Sequence, residues 1–205
     1  SPAEAAALER TLASDADAGV RRRAVLAIGR VGDADGLAPL VAALADPVEA
    51  VRATAAFALG LLGDAKAVAP LQIALADASP VVRGRAAEGL GLIGAPDAAP
   101  AVAAAAAGCP ALIATMSPDA EGDATGAEID SCRLSILALV RLRNYDALAK
   151  VILGDGGRPV STWWPVAYGL QRIGDRKATD PLVSLLSVEG VYTRAFALRG
   201  LAAMR

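Results

Sequence analysis

The chain has 205 residues, 55% of them hydrophobic, with a mean hydropathy of +0.44, a formal charge of −2 and an isoelectric point near 5.2. That apolar content excludes intrinsic disorder, and because no run of about 18 apolar residues is free of charge or proline, no membrane span is expected. The acidic balance is a poor footprint for general nucleic-acid binding, and the complete lack of histidine removes the commonest neutral-pH general base and metal ligand.

The charge is unevenly spread. Residues 1–130 hold 9 basic and 17 acidic side chains, net −8, whereas 131–205 hold 11 and 5, net +6, so the C-terminal third is the basic end. The first ten residues form a helix-prone stretch with Glu4 and Glu9, unlike a basic, apolar signal peptide. The missing initiating Met points to a processed start.

From Asp15 onward a period of 31 residues dominates: Asp15, Asp46 and Asp77; Arg21, Arg52 and Arg83; Ala24, Ala55 and Ala86; Gly29, Gly60 and Gly91; Gly32, Gly63 and Gly94. Within one period, Ala34 to Ala45 and Val48 to Leu62 both carry apolar residues at three- and four-residue spacing, which predicts two amphipathic helices. Asp46 is expected as an N-cap, with Pro47 at the first helical position and Glu49 completing a capping box; Ser79 and Pro80 repeat the signal. The inner stripe of the second helix reads Val51, Ala55, Leu59 and Leu62. A helix pair of about 30 residues cannot bury its apolar faces alone, so neighbouring pairs must stack. Later residues rejoin the pattern. Leu139 and Leu142 match Leu59 and Leu62; Leu170, Ile173, Gly174 and Asp175 match Leu59, Leu62, Gly63 and Asp64; Val191, Ala195 and Gly200 match Val51, Ala55 and Gly60. Six pairs are expected, over 2–31, 33–62, 64–93, 96–142, 144–173 and 175–205, forming one domain over 1–205.

The rows Asp46, Val51, Arg52, Gly63 and Asp64, with Pro39 and Pro70 early in the first helices, resemble the HEAT family, in particular bacterial phycobilisome-lyase-like HEAT repeats. The resemblance implies an all-α fold, a right-handed α-solenoid (α-α superhelix) of about six HEAT-like helix pairs. It also implies a ladder in which the turn Asp and the following Arg link successive repeats. Cys132, Trp163 and Tyr192 occupy the Arg row in the later repeats, so the ladder should stop after the third.

The pattern breaks at 108–130, an irregular insertion between the helices of the fourth pair, with Pro110, Pro118, Gly122 and Gly126 and the acids Asp119, Glu121, Asp123, Glu128 and Asp130. Such a loop is functional or disordered. Asp119, Glu121, Asp123 and Thr125 alternate somewhat as in a calcium loop, with Asp130 twelfth, but Ala124 replaces the turn glycine; a solvated acidic loop is the favoured reading, and no cofactor is expected. Cys109 and Cys132 bracket the insertion at ends that neighbour in a helix hairpin. They are either two buried thiols or a disulfide, and the bridge is favoured because it would staple the longest excursion in the chain. A bridge implies a periplasmic or secreted protein, the alternative being cytoplasmic.

Second helices of a solenoid line its concave side, where positions equivalent to 53, 57 and 61 should face outward. In pairs four and five these are Arg133, Leu137, Arg141, Trp164, Tyr168 and Arg172, which offer Arg133, Arg141, Arg172, Trp164 and Tyr168 together. Arg, Trp and Tyr are enriched at binding hot spots, so these five form the candidate partner site; against this, Trp163 and a neighbour could fill the core where ladder arginines are missing. The expected function is a non-catalytic protein-binding scaffold, or subunit of a larger assembly, gripping an acidic partner protein on its concave face. A bilin lyase or chromophore chaperone is the alternative implied by the repeat subtype. Nucleic-acid or damaged-base binding, as in HEAT-like glycosylases, is disfavoured by the acidic balance. The iron-binding deoxyhypusine hydroxylases use histidine and are excluded.

Overall fold

The computed structural model describes residues 11–12, 15–120 and 126–204. These fall into two compact units, one ending at Ala98 and one beginning at Ala99. The first holds α1 (Ala18–Val31), α2 (Leu37–Ala43), α3 (Glu49–Leu62), α4 (Val68–Ala74) and α5 (Pro80–Ile93). The second holds α6 (Ala99–Ala105), α7 (Cys109–Ile113), α8 (Gly126–Arg141), α9 (Tyr145–Ile152), α10 (Trp164–Ile173), α11 (Thr179–Ser184) and α12 (Val191–Ala203). Among the described residues the sole β interaction is an isolated bridge between Leu153 and Pro159. The expected first helix of pair one lies almost wholly outside the described residues; α1 is its partner, and pairs two, three, five and six each show both helices.

The glycine-aspartate rows mark the joints. Gly32, Gly63, Gly94 and Gly174 end α1, α3, α5 and α10 in the left-handed conformation, with φ of 72°, 73°, 74° and 65°, which a side chain rarely tolerates. Asp33, Asp64 and Asp175 then cap the next turn, each accepting a hydrogen bond from the amide two residues on. A short 3-10 turn follows, so the first helices begin later than their apolar period suggests; Ala34–Gly36 and Ala65–Ala67 precede α2 and α4.

The second helices stack through their small residues. A Cβ on Gly60 of α3 would lie 2.5 Å from the Gly89 Cα of α5, and one on Gly29 of α1 would lie 2.6 Å from the Ala58 Cβ of α3. Glycine is therefore a condition of the spacing between these helices. Val51, Ala55, Leu59 and Leu90 are fully buried as expected. Leu62, expected in the core, is half-buried because it is the last residue of α3, where the stripe leaves the interface.

The Asp–Arg ladder forms within the first unit. Arg21 donates through Nε and Nη2 to both Asp46 oxygens (2.8 and 2.9 Å), and Arg52 does the same to Asp77 (2.8 and 3.0 Å). The remaining terminal nitrogen of each Arg is shared by two carbonyls at the start of its own helix, those of Asp15 and Ala16 for Arg21 and of Asp46 and Pro47 for Arg52. This corrects the expected cap. Asp46 is committed to the ladder and to the Val48 amide, and α3 starts at Glu49 after Val48, which offers no capping side chain. One repeat later Ser79 does cap α5, with Pro80 at its first turn, as expected.

Candidate functional site

In the second unit the ladder positions carry other chemistry. Cys132, near the middle of α8, is disulfide-bonded to Cys109 at the start of α7, with Cα atoms 5.6 Å apart, inside the range of about 4.4–6.8 Å that a bridge requires. Trp163 is fully buried, filling the space of an arginine, and its indole Nε1 donates to the Ala120 carbonyl at 2.9 Å. In the last repeat the sequence register slips. Arg194, rather than Tyr192, is the ladder equivalent: it donates to the carbonyls of Val188 and Glu189, six and five residues back, as Arg52 does to Asp46 and Pro47. Thr193 and Ala197 thus take the buried places of Val51 and Ala55, while Val191, matched to Val51 by sequence, is exposed. The apolar period of α12 fits either register; the polar contacts decide it.

The segment expected as an irregular insertion is shorter than 108–130, because Cys109–Ile113 and Gly126 onward are helical. Proline at the second position of α7 costs no intrahelical donor. Of the suggested calcium-loop positions, Glu121, Asp123 and Thr125 lie outside the described residues. Asp119 and Asp130 are engaged otherwise. Asp119 accepts hydrogen bonds from the amides of Val191 and Tyr192, the first two residues of α12 (3.1 and 3.2 Å). Those amides need an acceptor, and Gly190 at the N-cap brings no side chain; a carboxylate distant in sequence supplies it. Residues 117–120 therefore form a strap: Pro118 accepts the Trp164 amide, and the Ala120 carbonyl accepts the indole N–H of both Trp163 and Trp164.

The strap sits beside the expected partner site. Trp164 and Tyr168 on α10 meet edge to face with ring centroids 6.3 Å apart, and Phe196 of α12 completes the cluster at 6.1 Å from Trp164 and 5.3 Å from Tyr168. Both α10 rings are half-buried, so they offer surface and also pack. Phe196 belongs to no outward row in the sequence-derived register, because the slip in α12 displaced it. Arg141 and Arg172 lie in the last turns of their helices as exposed side chains with no hydrogen bond or ion pair to a described residue. Arg133 differs: it is half-buried and pairs with Asp130 one turn back at 3.2 Å. From residue 131 onward, α8, α10 and α12 carry Arg133, Arg141, Arg172, Arg194 and Arg199 and not one carboxylate; the five acids of that region lie on first helices or in connections. The second-helix face of this unit is therefore arginine-rich with an aromatic centre.

Paired helices stacked through small residues, with a turn carboxylate bound by the preceding repeat's arginine, define an α-helical repeat scaffold. The family model described as HEAT repeats matches residues 5–79 and 37–115, more than half of the chain, and the chain belongs to that family. No protein of curated function matches it. Among solved structures, the complex of CpcE and CpcF of phycocyanin lyase from Nostoc sp. PCC7120 is 25% identical with a TM-score of 0.64, over 96% of this chain and 75% of that one. An engineered protein (17% identical, TM-score 0.61, 98% of this chain and 96% of that one) and a designed armadillo repeat protein (18%, 0.55, 97% and 98%) share the α-solenoid fold. No helix among the described residues is long and apolar enough to cross a membrane.

Proposed function

We propose that the chain is a non-catalytic protein-binding subunit whose second-helix face, around Trp164, Tyr168, Arg133, Arg141 and Arg172, holds a partner protein through an acidic surface. The observation that carries this reading is charge segregation: every charged side chain on those helices beyond Asp130 is an arginine, and α10 and α12 also carry the aromatic cluster. Arg141 and Arg172 take no part in the ladder, so their charge is available to a partner. The Cys109–Cys132 bridge supports placing the protein in an oxidising compartment, periplasmic or extracellular. The test is capture of the native partner by full-length variants. Truncating an anchor residue commonly costs about 2 kcal/mol or more of binding, so Arg172→Ala and Trp164→Ala should each weaken capture strongly at unchanged helix content, and Arg22→Ala much less. Undiminished capture by a folded Arg141→Ala/Arg172→Ala variant would remove the face from consideration.

A second reading is chaperoning or attachment of a bilin, favoured by the likeness to the phycocyanin lyase complex and by the presence of arginines and aromatic rings on the same second helices, which suits an acidic pigment. Incubation with a free bilin separates the two: a shifted visible spectrum that Tyr168→Ala reduces supports pigment binding, and an unchanged spectrum leaves the protein partner.

A further inference from the structure

One joint of the second unit departs from the rule that the others follow. Gly32, Gly63, Gly94 and Gly174 each end a second helix at positive φ, but the same turn after α8 places Arg143 there, with φ of 53°. Among the described residues it is the single non-glycine with positive φ. The turn is otherwise the same device. The Arg143 amide donates to the Val140 carbonyl and the Asn144 amide to that of Leu139, and Asn144 then caps α9 by accepting the Ala147 amide at 2.9 Å. A Cβ in the left-handed region crowds the following carbonyl, so glycine is the relaxed choice and a long side chain is strained.

No contact with a described residue offsets that strain. The Arg143 side chain is exposed and makes no hydrogen bond, ion pair or ring contact with one. Arg141, Arg172 and Arg176 are exposed and equally uncommitted. These four share the edge where the second helices of this unit end. Arg141 and Arg172 stand at equivalent positions two residues before the left-handed turn, and Arg176 stands two residues after it. The two turns are neighbours because α8 and α10 pack closely, a Cβ on Gly169 lying 3.1 Å from Ile136 Cγ2. The adjoining acids are engaged elsewhere: Asp146 pairs with Lys177 at 2.9 Å, and Asp175 accepts the Lys177 amide. In the first unit the same rows hold one cation, Arg30, among leucine, glycine, alanine and proline. A cation beside a helix C-terminus favours the helix dipole, but Arg141 already supplies one at the end of α8, which leaves the strained arginine without a purpose inside the fold.

We infer that Arg143 is a partner-binding residue: with Arg141, Arg172 and Arg176 it forms a guanidinium edge that takes successive carboxylates from an acidic segment of the partner protein. The inference rests on the reading of this unit as a holder of an acidic protein and adds a binding residue to it. A nucleic acid, whose charge is continuous, would also meet the net −8 of residues 1–130; a short acidic segment need not. The test is fluorescence anisotropy of a labelled octaglutamate peptide with the full oxidised chain at low ionic strength, where exposed pairs are least screened, beside thermal unfolding. Arg143→Gly should raise the Kd by about threefold or more, as for the loss of one exposed ion pair, and should melt no lower than the parent. Arg176→Ala should weaken binding similarly, and Arg158→Ala, beyond the far end of α9, should not. A folded Arg143→Gly that binds the peptide as the parent does, or a parent that does not bind it, overturns the inference. So does an Arg143→Gly that melts several degrees lower, which would place the role of the arginine inside the fold. Tighter binding of a single-stranded oligonucleotide with the same number of charges overturns the choice of partner and the inference with it. Undiminished capture of the native partner by Arg143→Gly, beside weakened capture by Arg172→Ala, overturns it too and leaves the wider reading standing.

Discussion

Replacing both Cys109 and Cys132 by alanine should lower the stability of the second unit by about 3 kcal/mol. The figure follows from the chain closed by the bridge: the two residues are 23 apart, and tying a loop of that size removes roughly 11–12 cal/mol/K of entropy from the unfolded ensemble, or about 3.5 kcal/mol at 25 °C. Both sulfurs lie in buried residues, so alanine leaves only small voids and no stranded polar group. For a chain of this size the loss corresponds to a fall in midpoint of roughly 6–12 °C. The assay is thermal unfolding by circular dichroism, comparing the oxidised protein, the protein treated with a phosphine reductant and the double-alanine variant, with free thiols counted in parallel. The reduced protein and the variant should melt together, below the oxidised form. If the reduced protein, with two thiols counted, melts within a degree or two of the oxidised one, then the hydrogen bonds of the strap alone hold this segment and the entropic argument is wrong.

The ladder should make the first unit acid-sensitive. Hydrogen bonding to the guanidiniums of Arg21 and Arg52 holds the carboxyls of Asp46 and Asp77 below the usual carboxylate range, so their contribution is fully present above the unfolded pKa of about 3.9 and is lost as pH falls through the lower folded values. Melting curves from pH 7 to pH 2.5 should therefore drop steeply in the acid range, and Arg52→Gln should flatten that drop. Gly60→Ala should destabilise by about 1–3 kcal/mol, because overpacking against the Gly89 backbone outweighs the roughly 1 kcal/mol that alanine gains in helix propensity; urea unfolding measures it, and a stabilised variant would mean that α3 and α5 can separate freely. Asp119→Ala should cost about 1 kcal/mol, as for other lost helix caps, and should raise amide exchange at Val191 and Tyr192, whereas exchange unchanged there would deny Asp119 its capping role.

The first unit was legible because each of its rows has one strict physical demand. Gly63 must adopt positive φ, Asp64 must cap a turn, Gly60 must admit a neighbouring backbone, and Arg52 must reach Asp77; residues under such demands recur at a fixed period. The aromatic centre on α10 was legible for a different reason, since Trp164 and Tyr168 stand where other repeats carry small or aliphatic residues. The strap was hidden because its contacts are mostly main-chain carbonyls, those of Pro118 and Ala120, which leave no mark in side-chain identity. The one signal available was Gly190, an N-cap without a side chain, which implies an acceptor brought from elsewhere. The two-residue slip in α12 was hidden because a row of Val, Ala, Leu and Gly fits two registers of an apolar stripe, and a polar anchor such as Arg194 can be recognised only by the carbonyls it reaches.

The change from ladder to disulfide and strap also explains where the charge can act. In the first unit Arg21 and Arg52 each spend three nitrogens on a carboxylate and two carbonyls, leaving little of either guanidinium for an outside ligand. In the second unit the corresponding positions, on α8 and just before α10, are filled by a sulfur bridge and a buried indole, which reach Cys109 and the Ala120 carbonyl without using a cation. Of the arginines on these helices Arg133 pairs with Asp130, whereas Arg141 and Arg172 lie outside the joints and make no hydrogen bond to a described residue, keeping their hydrogen-bonding capacity. A guanidinium left exposed beside an apolar, aromatic surface is little hydrated and geometrically prepared for a carboxylate. Restoring the ladder by Trp163→Arg should therefore damage the second unit, since the strap would lose one indole donor and a cation would replace the fully buried indole that bonds the Ala120 carbonyl. Limited proteolysis after residue 120, faster in Trp163→Arg than in the parent chain, is the expected sign, and equal cleavage would show that the indole only fills space.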